Sequence, residues 1–257
     1  MNPKTQANRE AWNAVAKTHY ENYHIEKLLA GEPMLSELIK TEVGDVHGKS
    51  LIHLLCHIGT DTLSWRLLGA QVTGVDISPE AIQYAQKLAG QTGLEATFIT
   101  ADIMELMGQL EPAYDIVFAS TGVLCWIPDI DRFAITVRQL LKPGGFFFLH
   151  DGHPFRDILD KTDQGDAVVK TDYFHSGAWE YEDFTDYIKK ELQIPTKSYE
   201  WTWTLGSVVT AFCQAGLRIA FLHEYPQNFY AGYTGFDEDI IKRELYPCTF
   251  SLKAIAG

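Results

Sequence analysis

The residues best placed to do chemistry lie in LIHLLCHIGTDTLSWRLLGAQVTGVDIS, residues 51–78. This stretch reads as a strand, a tight loop, a helix and a second strand that ends on Asp76. In open α/β sheets ligands bind at the carboxyl ends of the strands, where the first turn of the next helix offers free N–H groups. A carboxylate at the end of the second strand can accept hydrogen bonds from both ribose hydroxyls of an adenosine, and Asp76 occupies that place. Asp102, in ITADIMEL after the third strand, can reach an adenine edge while Ile77 and Ile103 sandwich the ring faces. The competing reading makes Asp76 and Asp102 mere caps of the helices that follow them.

The elements that must position these groups alternate. Strands are expected at Ser50 to Leu55, Gln71 to Asp76, Ala96 to Thr100, Tyr114 to Ser120 and Gly145 to Asp151. Helical patterns lie between them at about Asp61 to Leu68, Pro79 to Gln91 and Asp129 to Leu141. Such alternation is the signature of βαβ units and a parallel sheet. The turn Lys142-Pro143-Gly144-Gly145 should stop the third helix and launch the fifth strand. Residues 1–45 form a helical cover of the same domain, with helices at about Thr5 to Tyr23 and Pro33 to Thr41. The main domain takes residues 46–257, and residues 152–204, with nine aromatic side chains from Tyr173 to Trp203, form an inserted cap. A helix at about Leu205 to Ala215 with Gly216 as its C-cap, a strand Leu217 to Tyr225 and a strand around Thr249 to Ile255 close the chain.

Composition narrows the partners. In 257 residues, 46% are hydrophobic and 21% charged, which suits a globular α/β domain. A formal net charge of −13 with no basic stripe repels phosphate backbones, so nucleic acid is excluded as a partner and a small molecule is expected. The N-terminal stretch lacks a signal-like apolar core and no run is long enough to span a bilayer, which predicts a cytoplasmic protein without membrane contact. Cys56, Cys125, Cys213 and Cys248 show no CxxC spacing, so neither a zinc site nor a disulfide framework is expected. His150, Asp151 and His153 superficially form a two-histidine, one-carboxylate set. Neighbours on a strand point to opposite faces, however, so no metal site is expected there.

At these residues the chain resembles the class I S-adenosylmethionine-dependent methyltransferases, from about Val46 to Ala256. That family's loop usually reads D-x-G-x-G-x-G, and the aligned positions here are His53, Leu55, His57 and Gly59, so only the last glycine is kept. The string HLLCHIGTDTLSWRLLGAQVTGVDISPEAI is similar to a bacterial subgroup with a CHxGxDTLS loop. YDIVFAST, VLCWIPDIDRF and LLKPGGFFFLHD supply the matching later elements. The resemblance implies a doubly wound, mostly parallel seven-stranded Rossmann-like α/β sheet with a C-terminal antiparallel hairpin. It implies S-adenosylmethionine as cofactor, held by Cys56, Gly59, Asp76, Ile77, Asp102, Ile103 and Ser120, with Asp61 and Thr62 as local substitutes at the loop. The implied activity is methyl transfer to a small molecule by a monomer or homodimer. A non-catalytic binder of S-adenosylmethionine or S-adenosylhomocysteine is the alternative. An NAD-dependent oxidoreductase fits less well, because LCHIGT lacks the G-x-G-x-x-G pyrophosphate cradle.

Methyl transfer needs a nucleophile held in line with the sulfonium methyl, water excluded, and a base where the acceptor carries a proton. Acceptor-side candidates are Trp12, His19, Tyr20 and Tyr23 in the first helix, Trp126 after the fourth strand, and His150, Asp151 and His153 after the fifth. Of these, His153, Tyr20 and Trp126 are the expected catalytic residues, and Trp12 is expected to close over the cofactor as part of an aromatic lid. His53 and His57 flank the loop and are expected to be hydrogen-bonded structural groups.

Overall fold

The computed structural model describes residues 1–110, 113–162, 167–189, 193–227 and 245–257. Helix α1 (Pro3–Asn22) starts where the Asn2 side chain accepts from the Thr5 N–H at 2.9 Å and Pro3 presets the first φ. The short α2 (Glu26–Leu29) and α3 (Glu37–Val43) complete the N-terminal cover. The helix expected from Pro33 begins instead at Glu37, because Ser36 caps it by accepting from the Ile39 N–H at 3.3 Å.

Two βα units follow: β1 (Ser50–Leu54), α4 (Thr60–Leu67), β2 (Gln71–Asp76) and α5 (Pro79–Thr92) lead to β3 (Thr97–Thr100). Ser78 and Pro79 start α5 as their types dictate, the Ser78 hydroxyl accepting from the Ala81 N–H at 3.0 Å. Then come β4 (Tyr114–Ser120), α6 (Ile130–Leu140) and β5 (Leu141–Gly152). β5 begins at Leu141, earlier than the expected Gly145. Its pairing with β4 jumps from Tyr114–Leu141 to Ile116–Phe146, so the Lys142 to Gly145 turn bulges out of the ladder instead of preceding it.

After α7 (Pro154–Asp157) the cap carries β6 (Leu159–Lys161), β7 (Ala167–Val169), β8 (Ala178–Tyr181), β9 (Phe184–Thr185), β10 (Gln193–Ile194) and β11 (Ser198–Trp201). They pair as three two-stranded ribbons, β6 with β7, β8 with β11 and β9 with β10. Helix α8 (Leu205–Gln214) is capped at Ala215, with the left-handed Gly216 just beyond, and β12 (Leu217–Tyr225) and β13 (Thr249–Ala256) follow.

The main sheet runs β12-β13-β5-β4-β1-β2-β3, and among its described strands β13 alone runs against the direction of the other six. Both faces are covered, which is why the central strands carry consecutive apolar residues, Leu51 and Ile52 in β1 and Ile116 to Ala119 in β4, rather than alternating ones. On one face Phe133 of α6, Phe147 of β5 and Phe212 of α8 pack with ring centroids 4.7 to 6.0 Å apart. On the other, Trp65 of α4, Phe118 and Phe148 pack with Ile39 and Val43 of α3. The strand order reverses between β1 and β4, so a crevice must open beyond the carboxyl ends of those two strands. Among the described residues no helix is long and apolar enough to cross a membrane.

Candidate active site

The loop from β1 to α4 takes the left-handed conformation at alternate residues: φ is 56° at Leu55, 49° at His57 and 78° at Gly59. These are the three positions at which the methyltransferase motif carries glycine. Two of the three therefore carry side chains in a backbone conformation that favours glycine, at about 1–2 kcal/mol each. Three hydrogen bonds hold the path: Cys56 N–H to the Val75 carbonyl at 2.9 Å, Gly59 N–H to the Cys56 carbonyl at 2.9 Å, and His57 N–H to Asp76 Oδ2 at 2.8 Å. Gly59 is required by packing, since a Cβ there would lie 2.8 Å from the Phe98 ring. Cys56 buries its sulfur over Gly74, so it can meet a ligand only through its backbone. Thr62 bonds His53 Nδ1 at 2.9 Å inside the core, so its side chain serves the sheet and not the crevice, and the His53 imidazole is held down to about 3 by burial.

Asp76 does more than cap. Its Oδ1 accepts from the Ser78 N–H at 2.9 Å and its Oδ2 from His57, so one carboxylate ties the end of β2 to the loop after β1. Burial pushes its carboxyl up to about 6, against the opposing pull of the N–H groups of Ser78, His57 and Ile77. Asp102 caps the turn at Ile103–Glu105 by accepting from the Met104 N–H at 2.9 Å, and burial raises it as well. Beside Asp102 a cleft of about 250 Å³ is lined by Arg9, Ile77, Thr100, Ala101 and Glu105 among others. Ile103 is buried beside it in the core. Asp61, in the first turn of α4, lies 3.1 Å from Ser120 Oγ at the end of β4, across the strand-order reversal, and burial raises its carboxyl.

One face of α1 turns toward this crevice. Trp12, His19 and Tyr23 share it, as spacings of seven and four dictate. Tyr20 points elsewhere: it donates to Gln91 and packs on Tyr84 of α5, so its expected catalytic place is corrected to a packing contact between two helices. Trp12 meets Trp126 at 5.2 Å, Phe184 at 5.5 Å and His57 at 5.2 Å between ring centroids. α1, the loop after β4, the cap and the loop after β1 thus share one aromatic cluster. Asn8 clamps α1 to the cap: its side chain donates to the Tyr199 carbonyl and accepts from the Tyr199 N–H, both at 2.7 Å.

Inside that cluster His19 Nε2 lies 2.9 Å from Asp186 Oδ2, and His19 Nδ1 lies 2.7 Å from His57 Nε2. Tyr23 and Tyr187 bond each other beside them. Burial holds both imidazoles below their ordinary range, His57 furthest, and pushes the Tyr23 phenol up. The sequence reading passed over Asp186 altogether and gave His57 a structural task. The available signal was helical: His19 lies seven residues beyond Trp12 on one face of α1.

The groups after β5 need correction. His153 Nδ1 accepts from the Phe155 N–H at 3.1 Å, so the ring proton sits on Nε2, 2.9 Å from Glu224 Oε1. With both nitrogens engaged, His153 caps α7 and is not available as the base. The Asp151 carboxylate accepts from the N–H groups of Gly122, Val123 and Leu124 at 2.8 to 3.0 Å, so it fixes the turn that carries Trp126. Among the described residues no cluster of histidine, cysteine and acidic side chains is arranged to hold a metal ion.

A family model for a methyltransferase domain matches residues 52–147, from β1 into β5. The ubiquinone biosynthesis O-methyltransferase of Photorhabdus laumondii is 31% identical over 116 residues, 45% of this chain and 48% of that protein. The protein of the same name from Bordetella pertussis is 26% identical over 144 residues, 56% of this chain and 59% of that one. The chain spans about half the length of the curated relatives it matches. An S-adenosylmethionine-dependent methyltransferase from Mesorhizobium loti has a similar structure, with a TM-score of 0.62 at 21% identity over 85% of this chain and 95% of that one. This chain therefore has the fold of the S-adenosylmethionine-dependent methyltransferases, and the methyltransferase-domain match falls on its residues 52–147.

Proposed function

We propose that the protein is an enzyme that transfers a methyl group from S-adenosylmethionine to a small-molecule acceptor. The observation that carries this reading is the pair of buried carboxylates, Asp76 and Asp102, at the carboxyl ends of the neighbouring strands β2 and β3, with Ile77 and Asp102 lining one cleft there. Asp76 accepts the ribose hydroxyls, Asp102 receives the adenine amino group, and Ile77 and Ile103 border the ring. Asp61 and Ser120 face the methionine ammonium, with the backbone of Cys56 and Gly59 and the first turn of α4 beside it. S-adenosylmethionine supplies an electrophilic methyl on a sulfonium, and these residues need only bind it, orient it and keep water away. Trp12 and Trp126 wall the acceptor side under α1 and the cap, residues 1–45 and 152–204 serving as cover and insertion of one domain. The CHIGTDTLS loop marks the bacterial subgroup that it resembles, and the protein works in the cytoplasm as a monomer or homodimer without nucleic-acid partners.

Calorimetry tests this directly. S-adenosylhomocysteine should bind and NAD should not, and Asp76→Ala should weaken S-adenosylhomocysteine by about tenfold to a hundredfold, the loss of about 1.5–3 kcal/mol in charge-assisted hydrogen bonds. Equal affinity in the variant, or tight NAD binding, would sink the assignment. Incubating labelled cofactor with fractionated small metabolites separates an enzyme, which labels a fraction, from a silent binder, which labels none.

A further inference from the structure

The geometry points to His57, oriented through His19 by Asp186, as the base that takes a hydroxyl proton from the acceptor as the methyl is transferred. This rests on the methyl-transfer reading above. Asp186 Oδ1 already accepts from the N–H groups of Ile188 and Lys189, both at 2.7 Å, which leaves Oδ2 to accept from His19 Nε2. A proton on Nε2 makes His19 Nδ1 the lone-pair nitrogen of a neutral ring. His57 Nε2, 2.7 Å away, must then be the donor, which leaves the lone pair of His57 on Nδ1. That atom is buried and has no hydrogen-bond partner among the described residues. A buried acceptor without a donor is costly in a finished core, and a ligand O–H would satisfy it.

The location supports the same assignment. His57 stands in the loop that borders the proposed cofactor site, where the family motif has no side chain, and its ring lies 5.2 Å from that of Trp12. Asp186 comes from the cap and His19 from α1, so the chain of hydrogen bonds is complete only when cover, cap and loop are together. In the transfer step the acceptor O–H bond breaks and an N–H bond forms at His57 Nδ1. The oxygen pair bonds the methyl carbon, and the carbon–sulfur pair returns to sulfur, leaving a thioether. His57 becomes an imidazolium whose Nε2 proton faces His19, with the Asp186 carboxylate balancing the charge beyond it. The groups that face this chain are Tyr23 of α1 and Tyr187 of the cap, with Asp61 of α4 close enough to act on Tyr23. Asn is the replacement for His57 that best tolerates its φ of 49°.

The test uses the full chain, labelled S-adenosylmethionine and two probe acceptors, phenol and 4-nitrophenol, at mildly alkaline pH where only the second is largely ionised. His57→Asn should lower transfer to phenol by about a hundredfold or more, and transfer to 4-nitrophenol by less than a tenth of that factor, because the ionised probe needs no base. Asp186→Asn should give the same split with a smaller amplitude. On the unsubstituted protein bound to S-adenosylhomocysteine, nitrogen-15 histidine spectra should show both rings neutral with protons on Nε2. Equal losses on the two phenols, or a proton on His57 Nδ1, would overturn the assignment. No transfer to either phenol by a protein that binds S-adenosylhomocysteine would also overturn it and leave the cofactor site standing. Failure to bind S-adenosylhomocysteine at all would instead overturn the methyl-transfer reading.

Discussion

Asp76 pins the loop through His57 and Ser78, and in the proposed function the same carboxylate also accepts the ligand's hydroxyls. Both need it ionised. Its burial-raised value of about 6 means that acid protonates it within the range in which the fold is ordinarily tested. A protonated carboxyl presents one donor where the ribose hydroxyls need acceptors, so affinity for S-adenosylhomocysteine should be level above neutrality and fall as pH drops through that value. The raised carboxyl of Asp102 acts in the same direction. Calorimetry between pH 8 and pH 5 should show a loss approaching tenfold per unit at the acid end, and a flat profile would remove Asp76 from the ligand. Gly59 makes the opposite kind of demand, one of space. Gly59→Ala forces a methyl to 2.8 Å from the Phe98 ring and to 3.0 Å from Ala85 Cβ, at a φ of 78°. Strain and repacking together should cost about 2–4 kcal/mol, read as a lower denaturation midpoint at unchanged slope.

At the scale of elements, α1 is joined to the cap by a side chain that imitates a backbone. Asn8 makes the donor and acceptor pair with Tyr199 of β11 that a neighbouring strand would make, while Ala11 and Val15 pack with Phe184 and Ile194. Asn8→Ala removes both bonds and leaves a half-buried N–H and carbonyl of β11 without them, so hydrogen exchange should quicken together in α1 and in the β8–β11 ribbon while β1 and β4 keep their protection. Quickening in α1 alone would show that the cap does not lean on the helix. The strands and helices of the sheet were legible because apolar runs and Ser, Asp and Pro caps are local signals; β2, β4 and β12 fall where pattern alone places them. Asp76 and Asp102 were legible for the same reason, as acidic residues at strand ends. The start of β5 was not, since a bulge depends on the register with β4. Nor was the task of His153, whose cap to Phe155 is local but whose other nitrogen is taken up only because Glu224 comes to it from β12. Tyr20 and Tyr23 are three apart and looked alike in sequence. Which of them meets α5 and which meets the cap is decided by the rotation of α1 against its neighbours.

At the scale of the whole molecule, the left-handed non-glycine residues Leu55 and His57 of the β1 loop and Thr121 of the β4 loop flank the strand-order reversal, and an aspartate holds each of those loops. Asp76 bonds the His57 N–H, and Asp151 bonds the three N–H groups that follow Thr121. Strained backbone persists where surroundings over-determine it, and three of the four left-handed non-glycine residues among the described ones stand where the proposed cofactor would lie. A ligand that bonds these same loops binds the native chain and not the unfolded one, and it must raise apparent stability by mass action. At a hundred times its dissociation constant the gain is about 2.7 kcal/mol. For a chain of this length that is a rise of about 5–10 °C in melting temperature. The net charge of −13 gives the opposite expectation for polyanions, which should be repelled at low salt, where such fields reach furthest. A thermal-shift series should therefore show S-adenosylhomocysteine raising the melting temperature, with NAD and RNA leaving it in place. Asp76→Ala should remove most of the rise, because the carboxylate that would accept the ribose also closes the loop. A larger shift from RNA than from S-adenosylhomocysteine would mean that a macromolecular surface, and not this crevice, is what the fold is built to present.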